Sequence, residues 1–157
     1  MRVAPGRSIL SDPVHIHILD TCVVSELVRK RPDQKVVDWV TAQAEHTLYL
    51  SILTFGELNK GIVMLPDQDR RKHRLKEWLR RDLHERFRGR VLGLSEEVVL
   101  RWGEIDGEAE RNGKQIPVID GLIAATALVA GAVVVTRNEL HFQRSGAEVI
   151  NPWAQKS

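Results

Sequence analysis

The sequence predicts an α/β fold in which a short, mainly parallel central sheet carries helices on both faces. Three observations predict it. Short apolar runs closing on a polar residue recur at 15–20, 48–51 and 132–136. Between them lie longer segments whose apolar residues recur every three or four positions, as on a helix buried along one side. Strands alternating with helices argue for parallel pairing, and right-handed crossovers place the helices on both sides of the sheet.

Residues 1–14 read as a loose arm. Residues 15–20 alternate and then turn fully apolar at Ile18 and Leu19, as a buried first strand does. His15 and His17 on that strand are expected to face water. Residues 21–29 form a helix with Val23, Val24 and Leu27 on one side. Pro32-Asp33 breaks it, and a helix resumes over 34–44 with Val36, Val37 and Val40. A short strand follows at 48–50. Ser51 caps the next helix, on which Phe55, Leu58, Ile62 and Leu65 keep the helical repeat. Pro66-Asp67 starts a long basic helix whose stripe is Leu75, Trp78, Leu79, Leu83 and Phe87. Residues 90–94 make a brief third strand. Ser95-Glu96-Glu97 opens another helix, by capping and by acids near its positive end. Its buried stripe is Val98, Trp102, Ile105 and Ala109. Asn112-Gly113 ends it, and Pro117 opens the next helix, where no donor is needed. There Ile119, Leu122, Ile123, Thr126 and Ala130 are spaced for burial. Ala124, Ala125 and Ala127 let that helix pack close to a sheet. Gly131 ends it before the strand at 132–136, and a last strand occupies 148–150 before Asn151-Pro152-Trp153.

At 157 residues the chain fits one domain with a core of its own. Hydrophobic residues make up 43%, which argues against disorder away from the ends. The single cysteine, Cys22, excludes an internal disulfide and a thiolate zinc site. It reads as a small buried hydrophobe. No apolar run approaches the roughly 20 residues that span a membrane. The first residues lack a signal-peptide stretch, so a cytoplasmic protein with no membrane partner is expected. Net charge is +2, too small to announce nucleic-acid binding. Ten Lys and Arg nevertheless crowd residues 70–90. A solvated helix face, with Glu77, Asp82 and Glu85 as partners, is the favoured reading of that run over a phosphate-binding surface. Trp39, Trp78, Trp102 and Trp153 read as core or interface anchors.

Four short acidic elements carry the chemistry: ILDTCVVSEL around Asp20, LTFGELNKG around Glu57, PVIDGLIAATA around Asp120 and VVVTRNELHF around Asn138. Asp20 and Asn138 follow strands, while Glu57 and Asp120 sit in helical segments. Parallel neighbouring strands share one carboxyl edge, where ligands bind in open α/β sheets. Carboxylates gathered there repel one another unless a cation sits between them. Ligands that are all oxygen suit a hard cation such as Mg²⁺ or Mn²⁺, which points to phosphodiester chemistry. Local alternatives exist for each residue. Asp20 can cap the helix after it, Glu57 can close a capping box with Thr54, Asp120 can favour a helix dipole, and Asn138 can be a turn residue.

Taken in order over residues 15–153, these motifs resemble the PIN-domain ribonucleases, most closely the VapC-type toxins of bacterial toxin–antitoxin pairs. LDTCVVSEL, the Glu of TFGELNKG, IPVIDGLIAATA and VVTRNELHF carry the resemblance, with GAEVINPW downstream. It implies a three-layer α/β/α sandwich, residues 15–153 as the nuclease domain and 154–157 as a short tail. It implies metal-dependent RNA cleavage, with Asp20, Glu57 and Asp120 as ligands of Mg²⁺ or Mn²⁺ and Asn138 orienting a water. Its implied partners are an RNA substrate, a cognate antitoxin whose tail enters the acidic cleft, a second copy in a homodimer, and operator DNA only indirectly through the antitoxin. The chain departs from the common pattern near the fourth motif. Several relatives carry an acid at the Asn of TRN or in an Asp-Phe pair three residues on; these positions here are Asn138 and His141.

Two other readings remain at the level of sequence. A phosphatase or phosphotransferase with Asp20 as nucleophile usually wants a second acid two residues on, where Cys22 stands. A catalytically degenerate binding protein, acting only with an antitoxin, is compatible with the neutral fourth position.

Overall fold

The computed structural model describes residues 15–156; the expected arm at 1–14 lies outside them. Five parallel strands form the sheet. They are β1 (His17–Leu19), β2 (Leu48–Ser51), β3 (Val91–Leu92), β4 (Val133–Val135) and β5 (Val149–Ile150). Their order across the sheet is β3-β2-β1-β4-β5. β1 lies in the middle, with Ile18 opposite Tyr49 on one side and Val134 on the other. Every residue of β1 and β4 is buried, as in strands covered on both faces. The edge strands β3 and β5 are two residues each, which leaves little unpaired backbone.

Helices α1 (Thr21–Leu27), α2 (Gln34–Ala42) and α3 (Ile52–Val63) follow the first two strands. α4 (Arg70–Glu77) continues through a π-helical turn, Trp78–Leu83, into α5 (His84–Arg86). Beyond β3 come α6 (Glu96–Arg111), α7 (Val118–Ala130) and, after β4, α8 (Glu139–Arg144). The alternation of side chains along each strand splits the core in two. Leu19, Leu48, Leu50 and Val135 pack with Val23, Val36, Leu58 and Leu83 on one face. Ile18 and Val134 pack with Ile123, Ala124, Ala127 and Phe142 on the other. The sandwich expected from the resemblance is therefore present.

α6 packs against α7 rather than against the sheet, through Val98, Ile105, Ala109 and Ala125. Gly121 permits this approach, because a Cβ there would stand 3.2 Å from Trp102 Cδ1. Of the three alanines expected against the sheet, Ala125 belongs to this second seam. α7 ends at Gly131, whose φ of 65° is the left-handed cap that glycine adopts freely.

Several expectations need correction. His17 is buried, with its ring edge-on to Trp39 at 5.2 Å between centroids, because the central strand is covered on both sides. Burial pulls its pKa below the usual histidine range, and the charge of His15 adds to this. Ala130 is exposed, since α7 turns away from the core at its last residue. The basic helix starts at Arg70, not at Pro66-Asp67, because Asp69 caps it by accepting from Arg71 N–H at 2.9 Å. Its apolar residues recur every four positions from Leu75 to Phe87. On an α-helix of about 3.6 residues per turn that stripe drifts, and the wider π turn takes up the drift so that Leu79, Leu83 and Phe87 all stay buried. Much of the basic run is locally paired: Arg71 with Asp69, Lys72 with Asp67, Arg86 and Arg90 with Glu45, and Arg88 with Glu85.

Candidate active site

The chain leaves β1 toward β2 on one side and returns as β4 on the other, so the carboxyl ends of β1 and β4 form the switch point at which open α/β sheets bind ligands. Asp20 stands there. Its backbone N–H extends the sheet by donating to Val135 O at 2.9 Å. Its side chain is 3% exposed and caps α1, with Oδ1 accepting from Thr21 N–H at 2.9 Å. Oδ2 accepts from the Thr136 hydroxyl at 2.7 Å. Thr136, just past β4, also accepts from Asn138 N–H at 3.0 Å. Two neighbouring strand ends are thus tied together through one carboxylate. Burial pushes the Asp20 carboxyl above the usual carboxylate range. Hydrogen bonds from Thr136 and from Thr21 N–H partly offset this, and the charges of Asp120 and Glu57 push it further up.

Glu57 comes from α3, which Ser51 caps by accepting from Leu53 N–H at 3.1 Å. Its Oε1 accepts from the Thr21 hydroxyl at 2.5 Å, so it faces α1 and does not close a box with Thr54. Asp120 lies in the first turn of α7, and its Oδ2 is 2.7 Å from His141 Nδ1 on α8. The structure therefore brings Asp20, Glu57 and Asp120 to one edge, close enough for the charges of the other two to act on Asp20. Among the described residues, none of the three forms an ion pair with Lys or Arg. As placed, no three His, Cys, Asp or Glu side chains among the described residues converge closely enough to hold an ion. The side chains of Thr136, Thr21 and His141 each engage one acid instead. The donor chemistry suits a hard cation: three carboxylates, mutual repulsion and no Lys or Arg partner among the described residues.

Asn138 precedes α8 with its side chain exposed and making no capping hydrogen bond. Of the two fourth-motif positions, His141 is the one placed against an acid. Its signal in the sequence is the following residue: Phe142, fully buried, fixes the face of α8 that turns His141 toward α7. Burial, and then the charge of Asp20, push the Cys22 thiol up to about 11, so it stays protonated at neutral pH.

Beside Glu57 runs a groove of about 1030 Å³ between the end of α1, α3 and α4. Leu58, Ile62, Leu75 and Trp78 line it, and Arg29, Arg31, Arg71 and Arg74 flank it.

The PIN domain matches residues 17–146. This chain belongs to the PIN-domain family. Its PIN fold is shared with relatives of similar length. It is 38% identical to the VapC ribonuclease Y4jK of Sinorhizobium fredii over 87% of this chain and 96% of that one. It is 36% identical to the toxin FitB of Neisseria gonorrhoeae over 87% of this chain and 97% of that one. The solved structure of FitAB bound to the IR36 DNA fragment superposes with a TM-score of 0.83 at 33% identity, covering 90% of this chain and 99% of the matched one. Among the described residues, no helix of this PIN domain is long and apolar enough to cross a membrane.

Proposed function

We propose that the chain is the toxin of a toxin–antitoxin pair, an endoribonuclease that depends on Mg²⁺ or Mn²⁺. The observation that carries this is the gathering of Asp20, Glu57 and Asp120, from three separate elements, along the sheet's switch-point edge, with no Lys or Arg paired to any of them among the described residues. The names of the relatives support it, one being a VapC ribonuclease and another the toxin FitB. Asp20, Glu57 and Asp120 would hold the ion. When bound, such an ion lowers the pKa of water and neutralises charge on phosphate oxygens.

The chain's own residues supply the rest. Thr136 and the Thr21 N–H fix Asp20, and the Thr21 hydroxyl fixes Glu57. The exposed Asn138 amide can orient a water at the mouth of the site. Bases are read in single-stranded or looped RNA, where they can leave the stack. Products carry a 5′-phosphate and a 3′-hydroxyl.

An antitoxin fits the groove, with apolar anchors on its floor and an acidic flank along the arginines, and an antitoxin arginine reaching past Glu57 would pair with the carboxylates. A homodimer, operator DNA contact through the antitoxin alone, and a cytoplasmic location complete the reading; the FitAB–DNA structure supports the DNA-bound assembly. The test is cleavage of an RNA panel by the purified chain with Mn²⁺, with Mg²⁺ and with chelator. Metal-dependent cuts with the stated ends, lost in Asp20→Asn, are expected. Cleavage that persists in chelator, or in Asp20→Asn, would reject the proposal.

A further inference from the structure

One short contact at the rim of the site joins two side chains on different helices, Asp120 of α7 and His141 of α8. At 2.7 Å, a bare imidazole nitrogen and a carboxylate oxygen would both be acceptors, so a proton must lie between them. With the carboxylate as the acceptor, Nδ1 is assigned the hydrogen and donates to Oδ2. Among the described residues, Oδ1 of Asp120 accepts no hydrogen bond, so the carboxylate is fixed by one oxygen and open at the other. The imidazole is itself anchored: α8 is seated by Phe142, fully buried against Ile123 and Ala124 of the sheet-facing side of α7. His141 stays 37% exposed and Asp120 15%, so the pair sits at the mouth and not in the core.

Resting on the metal-nuclease reading above, we propose that His141 is a positioning residue that aims the free oxygen of Asp120 at the cation. It does for Asp120 what Thr136 does for Asp20 and Thr21 for Glu57. Each acid of the cluster then has at least one directed side-chain donor from this chain. An imidazole donor achieves this without adding a fourth negative charge to a cluster whose acids already repel one another. Donors to metal-ligating groups set ligand orientation and affinity in this way.

The test uses the full chain with His141→Ala, His141→Asn and His141→Gln. The Asn amide can place an N–H where Nδ1 stands; the Gln amide reaches the Nε2 position. Affinity for Mn²⁺ alone is measured by calorimetry, RNA cleavage is split into kcat and KM, and ring nitrogens are followed by ¹⁵N NMR. His141→Ala should bind Mn²⁺ about tenfold more weakly and lose about tenfold in kcat, with KM nearly unchanged. His141→Asn should recover most of both, and His141→Gln neither. The ring spectrum should show a single Nδ1–H tautomer in the parent and a mixture of tautomers in Asp120→Ala, which removes the acceptor. A parent that binds Mn²⁺ and cuts RNA, beside a His141→Ala that matches it, would overturn this inference alone. Equal recovery by Asn and Gln would also overturn it. A parent that neither binds Mn²⁺ nor cuts would overturn the metal-nuclease reading, and this inference with it.

Discussion

Asp20 lies at the bottom of the cleft, 3% exposed, clasped by a backbone N–H and by Thr136, whereas Asp120 stands at the rim with its carboxylate against His141. The first is held by the sheet itself. Asp20 and its donor Thr136 immediately follow β1 and β4, and Thr21 opens α1, so its position is fixed by strand register. The second is held by one side chain on a six-residue helix. Depth also separates them electrically. Burial is the largest cause of the raised Asp20 pKa, so this acid most needs a positive charge nearby to stay ionised. The bottom of the site thus supplies the electrostatic demand, and the rim supplies aim.

The largest effect should come from the bottom. Asp20→Asn should lower RNA cleavage at least about a thousandfold, equivalent to roughly 4 kcal/mol of transition-state stabilisation. Steady-state rates with circular dichroism as a fold control decide this. Glu57→Gln and Asp120→Asn should each fall steeply too, and the double variant should be no worse than either single, because groups acting as one unit lose their effect together. Multiplying losses would assign the two acids separate roles.

A middle-sized effect belongs to the hydroxyl that ties the strands. Thr136→Val keeps the shape but removes the donor to Asp20, and should cost about 10- to 100-fold in activity or metal affinity. Thr136→Ser should restore most of it; failure of Ser to do so would mean that the methyl, not the hydroxyl, matters.

A smaller effect is expected in stability against pH. The folded state raises the Asp20 pKa, so ionising it costs stability. That cost is present in full above the folded value and gone below the ordinary carboxylate value of about 3.9. Without divalent ions, Asp20→Asn should therefore melt above the parent at pH 7, and the gap should close as pH falls toward 4. A gap that widens on acidification would reverse the sign. The smallest effect is at the rim. Asn138→Asp adds an acid on an exposed residue and should modestly lower the metal concentration for half-maximal cleavage, with a slight fall in apo stability. Unaltered metal dependence would place Asn138 outside the site.

The central strands were legible because β1 and β4 are buried on both faces and read as plain apolar runs. Asp20, Glu57 and Asp120 were legible because each is attached to a motif whose apolar residues fix its element. The π turn was not, because a repeat of four positions looks the same whether the helix drifts or widens. His17 differs for a related reason: alternation suggests one wet face, and only the assembled sheet shows that helices cover both. Between Asn138 and His141 the sequence favours Asn138, as the residue orienting a water, whereas the structure places His141 against an acid. The choice depends on where α8 starts and on Phe142 docking, which are tertiary facts.

The most direct measurement is the melting temperature of the parent and of Asp20→Asn against Mn²⁺ concentration at pH 7. An ion that binds only the folded state stabilises it in proportion to the logarithm of its concentration once above Kd. The parent should start lower and climb with Mn²⁺, while Asp20→Asn should start higher and stay nearly flat, so that the two curves cross. Two parallel curves would contradict a cation site built on Asp20.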